Sequence, residues 1–210
     1  MKRTLLSALF VVPVAALAVS LGSPMAYSLK DPKGVNAIRF VLDARFEHIS
    51  GWTTAIDGTI NFDPEAPEET TGKVVVQAAQ LQMHHSNMNE HIQQAMWLDT
   101  AKHPTIEFVV TKVANVKRLA GPDAEWAMDA TGDFTMKGVT KQITIPVRIA
   151  HLPGQLAKRN RGAQGDLMAV RSSFVIKRSD YGVDGNQPVD IVADEVQLSF
   201  SLAAFSPKTN

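Results

Sequence analysis

The chain has 210 residues, 21 basic and 21 acidic side chains, and no cysteine. That length suits one well-buried domain. The balanced charge gives no field to gather nucleic acid or an acidic membrane surface, and without cysteine there is no disulfide, thiol nucleophile or lipid-anchoring thiol.

Lys2 and Arg3 precede an apolar run from Leu5 to Val19, and the next charge is Lys30. This is the plan of a secretory leader, with cleavage after Ala26 or after Ser28, and Ala26-Tyr27-Ser28 fits the small-x-small rule better. An uncleaved anchor is the rival reading, because Leu5 to Gly22 nearly spans a bilayer. Pro13 and the small residues behind it favour cleavage. Residues 1–28 are therefore assigned to the leader and 29–210 to one exported domain, with a net charge of about −2.

Ile38, Phe40 and Leu42 alternate with Arg39 and Asp43, a first strand. Arg45 to Trp52 reads as a bend continuing into a strand. Gly58, Ile60 and Phe62 share a face until Asp63-Pro64-Glu65-Ala66-Pro67 stops the strand by removing backbone donors. Val74, Val76 and Ala78 share a face of the next. The period then changes. Met88, Ile92, Ala95 and Met96 recur every three or four residues, so a helix is expected over Ser86–Leu98, N-capped by Ser86 or Asn87 and boxed by Glu90. Asp99 to Pro104 ends it.

Ile106, Phe108 and Val110 resume the alternation. The longest stretch follows: Trp126, Met128, Ala130, Gly132, Phe134 and Met136 on one face, a turn at Lys137-Gly138, then Ile143, Ile145, Val147 and Ile149. Such a hairpin has an apolar face that it cannot hide alone, so the rest of the chain must cover it. Pro153 to Gly165 reads as a polar loop. Met168, Val170, Phe174 and Ile176 mark another strand, Asp180 to Asn186 a turn, and Val192 to Leu202 the last strand. Eight strands with one inserted helix define an all-β chain. That number closes an antiparallel sheet into a barrel, although a two-sheet sandwich has the same periodicity.

The inward set is Ile38, Phe40, Leu42, Ile60, Phe62, Val74, Val76, Phe108, Phe134, Ile145, Val147, Phe174, Ile176, Leu198 and Phe200. It contains no charge. A cavity lined by these residues would take an elongated apolar ligand, since a polar head inside would lose its hydrogen bonds. A packed core accounts for the same residues. His84, His85 and His91, with His103 beyond, could offer imidazoles to a metal, but their spacing matches no standard ligand motif. No hydrolase, nucleotide-binding or metalloprotease motif is present, so no enzyme, catalytic residue or cofactor is expected.

Four segments in order, Ile56-Asp57-Gly58-Thr59-Ile60-Asn61-Phe62-Asp63-Pro64, Asn89-Glu90-His91-Ile92, His103-Pro104-Thr105-Ile106-Glu107-Phe108 and Thr131 to Lys141, resemble the YceI-like family of exported proteins. The resemblance runs from about Asn36 to Leu202. It implies an extended lipocalin-like eight-stranded antiparallel β-barrel with a short helix, in the bacterial periplasm, binding a polyisoprenoid or similar amphiphilic lipid in an apolar tunnel. The sequence departs from the family pattern at Ala44, where many members carry a histidine, and at Asn89-Glu90, where Arg-Asp is more usual. Two rivals remain, a solid-cored stress or interaction protein and an outer-membrane barrel with an apolar outer band. A homodimer and a membrane-associated donor or acceptor of lipid stay open as partners.

Overall fold

The computed structural model describes residues 23–208, so most of the expected leader, residues 1–22, lies outside the described residues. Among the described residues, eleven strands join one antiparallel sheet. They are β1 (Met25–Ser28), β2 (Ala37–Ala44), β3 (His48–Thr53), β4 (Ile56–Phe62), β5 (Thr71–Gln77), β6 (Gln82–Met83), β7 (Thr105–Arg118), β8 (Ala124–Met136), β9 (Val139–Leu152), β10 (Gly165–Lys177) and β11 (Val192–Pro207). The helices are α1 (Ser86–Gln93) and α2 (Leu156–Arg159).

Neighbouring strands run β1, β4, β5, β7, β8, β9, β10, β11, and β1 also pairs with β11 through Ser28 opposite Phe205. Eight strands thus close a barrel, and the sandwich alternative is excluded. β2, β3 and β6 continue the sheet from the free length of β11. The closing strand β1 lies in the segment that the sequence reading gives to the leader. Its place in the sheet has a physical cause: Met25 to Ser28 pair with Phe62 to Thr59 of β4, and Tyr27 and the adjoining Leu29 are both 0% exposed. The barrel therefore begins at or before Met25.

The long hairpin of β8 and β9 keeps register from Ala124 opposite His151 to Met136 opposite Val139. Lys137 (φ 49°) and Gly138 (φ 76°) are both left-handed, as a two-residue turn matched to strand twist requires. Pairing of β9 with β10 runs only from Leu152 opposite Leu167 to Val147 opposite Ser172. Pro146 follows, and it has no N–H to continue. The Ser172 hydroxyl donates to its carbonyl instead, at 2.6 Å. Beyond that point the 3-10 turn Arg178–Tyr181 fills the wall, with Tyr181 edge-on to Phe134 at 5.4 Å between ring centres.

Two local expectations differ from the structure. α1 stops at Gln93 instead of Leu98, because Gln94 turns extended (ψ 162°) and the chain curls until Leu98 N–H donates to the Ile92 carbonyl. His85 is its N-cap, no side chain caps it, and Asn89 accepts from the Met83 N–H at 2.6 Å. Met96, placed on the apolar face from sequence, is exposed. The loop from Pro153 to Gly165 contains α2, anchored by buried Leu156.

Candidate ligand-binding site

The barrel is solid at one end and hollow at the other. At the solid end, Phe62 packs edge-on against Trp126 at 5.3 Å and lies 6.0 Å from the His151 ring, with Tyr27 a further edge contact to His151. A strap from Leu29 to Asn36 holds this end shut. The Asn36 amide donates to the carbonyls of Leu29 and Ala203 and accepts from Ala203 N–H. Asp31 accepts from the N–H groups of Lys33, Val35 and Asn36 and pairs with Arg159 at 2.7 Å. Burial alone would raise the Asp31 pKa, but those donors and the guanidinium outweigh it and hold the carboxyl below its ordinary range.

The hollow end is a cavity of about 450 Å³. Strand alternation aims Ile38, Phe40 and Leu42 of β2, Val74 and Val76 of β5, Phe108 of β7 and Phe134 of β8 into it. Ile145 of β9, Phe174 and Ile176 of β10, and Leu198 and Phe200 of β11 complete the wall. Ile60, Phe62 and Val147 also face inward yet do not reach the cavity. They are buried in the solid half, because β1 and the Trp126 ring occupy the space before them.

Aromatic rings on the wall lie against glycines, which leaves the middle open. A Cβ on Gly51 would stand 2.5 Å from the Phe40 ring, and one on Gly132 2.8 Å from Phe108 Cζ. Trp97 is seated the same way on Gly185. A side chain in place of either strand glycine would push its ring inward.

The rim joins three elements. The turn between β2 and β3 donates Arg45 N–H to the Ile191 carbonyl at 2.8 Å, and Gly185 N–H donates to the Met96 carbonyl at 3.1 Å. Arg178, 3% exposed, ties the third side. Its guanidinium donates to the carbonyls of Val183, Asp184, Gln187, Val192 and Ala193, so a charge on the cavity wall is consumed by the loop it organises. Glu107, also on the wall, pairs with Lys73 at 2.7 Å. Of the remaining polar lining residues, Thr53 is buried and its hydroxyl accepts from the Ala55 N–H at 3.1 Å, whereas Glu47, His91 and Gln187 are exposed at the rim, beside Phe46, which is 80% exposed.

The histidines do not converge. His84 tilts against Trp52 at 5.9 Å while His91 faces the cavity from α1. Among the described residues no group of three or more His, Asp or Glu side chains is placed to hold a metal. Sequence reasoning missed Arg178, Trp97, Val183 and the lining methionines Met83 and Met88, which lie in turns, in the two-residue β6 or in α1 and not on the long alternating strands. A lone arginine after a strand carries no periodic signal. The outward strand positions hold Lys73, Thr131, Asp133 and Thr135 together with exposed Val109 and Val175.

A closed antiparallel barrel with an apolar hollow at one end defines a lipocalin-like fold. Residues 31–204 match the YceI-like domain, and the chain belongs to that family. It is 31% identical to protein YceI of Escherichia coli O17:K52:H18 over 155 residues, 71% of this chain and 73% of the relative. It is 32% identical to a UPF0312 protein of Pseudomonas savastanoi pv. phaseolicola over 159 residues, 74% of this chain and 73% of the relative. Two solved structures share the fold. BcnA of Burkholderia cenocepacia superposes with TM-score 0.64 at 24% identity, covering 80% of this chain and 95% of its own. A polyisoprenoid binding domain from Saccharophagus degradans, implicated in plant cell wall breakdown, gives 0.63 at 12% identity, covering 88% and 99%.

Proposed function

We propose that this protein binds one polyisoprenoid or similar amphiphilic lipid in the hollow end of its barrel, as an exported carrier or reservoir in the periplasm. One observation carries the reading: the cavity of about 450 Å³ has a largely apolar wall whose one buried charge, Arg178, is already held by backbone carbonyls. That volume lies in the usual range for small-molecule sites. Each methylene moved from water into such a space contributes about 0.8 kcal/mol. A charged head placed there would instead lose its water without replacement. Similarity to a polyisoprenoid binding domain agrees with this choice of guest. Export rests on Lys2, Arg3 and the apolar run behind them. A binding role, not a catalytic one, fits a site whose only fully buried charge is held by backbone carbonyls.

The test is to purify the protein from its own cells without detergent, extract it with organic solvent and analyse the extract by mass spectrometry. A lipid with a long hydrocarbon chain, near one per protein, is expected. Repeated absence of any such lipid overturns the reading.

A further inference from the structure

The outer side of the rim carries a surface that the hollow does not use. Phe46 stands at the tip of the turn between β2 and β3 and is the most exposed large apolar side chain among the described residues, with Val189, 65% exposed, on the loop before β11. The two loops are neighbours. Arg45 N–H donates to the Ile191 carbonyl at 2.8 Å, and Asp43, Arg45, Val189, Asp190 and Ile191 line one depression. Single exposed valines such as Val35, Val109, Val139 and Val175 are scattered over the strap, β7, β9 and β10 and call for no explanation. An exposed aromatic ring beside a second apolar side chain is different, because aromatic rings are the commonest anchors of protein interfaces.

Charge says what would cover it. Around Phe46 and Val189 stand three exposed carboxylates, Asp43, Glu47 and Asp190, against one arginine, Arg45. Among the described residues none of the three carboxylates is in an ion pair, and Arg45 lies over the Phe46 ring at 5.7 Å instead. The lysines of the β8–β9 hairpin, which also reach this end, are already occupied, Lys137 by the Gly182 carbonyl and Lys141 by Asp180. An acidic ring of this kind repels an anionic lipid surface and attracts a basic protein. We propose that this side of the mouth docks onto a partner protein that offers an apolar pocket to Phe46 and Val189, and lysine or arginine side chains to Asp43, Glu47 and Asp190. Such a partner sits at the opening of the hollow, whatever the hollow holds.

Photochemical cross-linking in the protein's own cells tests the surface. Phe46→p-benzoylphenylalanine keeps an aromatic ring at the tip and joins it on irradiation to whatever lies within reach. One protein is expected, attached through a segment flanked by lysine or arginine, as read by mass spectrometry of the joined peptides. Asp43→Lys together with Asp190→Lys is expected to cut the yield by about tenfold or more, with circular dichroism checking the fold. Irradiation of a cell extract at 1 M salt, where the screening length falls to about 3 Å, is expected to cut it as well without any change to the chain. No protein product overturns the proposal, as does a yield that neither charge reversal nor salt lowers, or a joined segment without basic residues. The same product from a label at Val175 on the outer face of β10 overturns it too. Products with lipid alone also overturn it and make the rim a membrane contact.

Discussion

The Phe108 ring lies against Gly132 of the neighbouring strand, so closely that a Cβ there would stand 2.8 Å from Phe108 Cζ. The same atom would strike the Val109 carbonyl oxygen, which is backbone and cannot rotate away. The absent side chain thus sets both the fit of two strands and the position of a ring on the cavity wall. Gly132→Ala is expected to destabilise the protein by about 1–3 kcal/mol through overpacking. Urea unfolding checks this, and an unchanged midpoint would show that the strands adjust freely.

Tyr27 makes the chain's start part of the core. It is fully buried, and β1 is the strand that closes the ring. Tyr27→Ala is expected to cost about 3–5 kcal/mol, the range for truncating a large buried aromatic side chain. If the leader is removed on export, the cut must fall before Met25 for β1 to survive. Intact-mass measurement of the exported protein checks that directly. A mature chain starting at Tyr27 or Leu29 would show that the barrel closes without this strand.

His151 gives the solid end a pH dependence. Burial lowers its pKa below the usual 6.5, partly offset by Asp166. The unfolded chain takes up a proton on falling through that value, whereas the folded chain resists it. Stability is therefore complete above about pH 6.5 and declines as the pH drops from there toward the folded pKa. His151→Phe is expected to flatten this slope between pH 7 and 5, as read from unfolding midpoints. Asp31 and Asp194, both held below 3.8, act lower, their contribution being lost as the pH falls through the folded values.

Arg178 holds the rim loop through five carbonyls. Arg178→Met removes every donor while keeping much of the side-chain volume, leaving buried acceptors unpaired. A loss of about 3 kcal/mol or more is expected. Faster amide exchange from Val183 to Val192 would confirm that the loss lies in the loop, and unchanged exchange there would refute it.

Much of this was legible in the sequence, for a definite reason. Strict alternation from Trp126 to Ile149 fixes which side chains face inward, and the inward set from Ile38 to Phe200 follows from period two alone. Period two does not say how deep a residue sits along the barrel axis. That is why Ile60, Phe62 and Val147 read like Phe40 and Leu198, although the first three lie in the solid half. β1 was hidden because Met25 to Ser28 adjoin the apolar run and carry the small residues of a cleavage site. The rim depends on Arg178, Gly185 and Trp97, which come together only through loop geometry.

The central claim is that a single hydrocarbon chain occupies the hollow end. A crystal structure of the protein isolated from its own cells without detergent tests it most directly. Continuous density for one chain is expected, running from the rim at Phe46 along Phe40 and Leu198 toward Phe108 and Phe200. A hollow filled by the protein's own side chains, or holding only scattered water, would contradict the account.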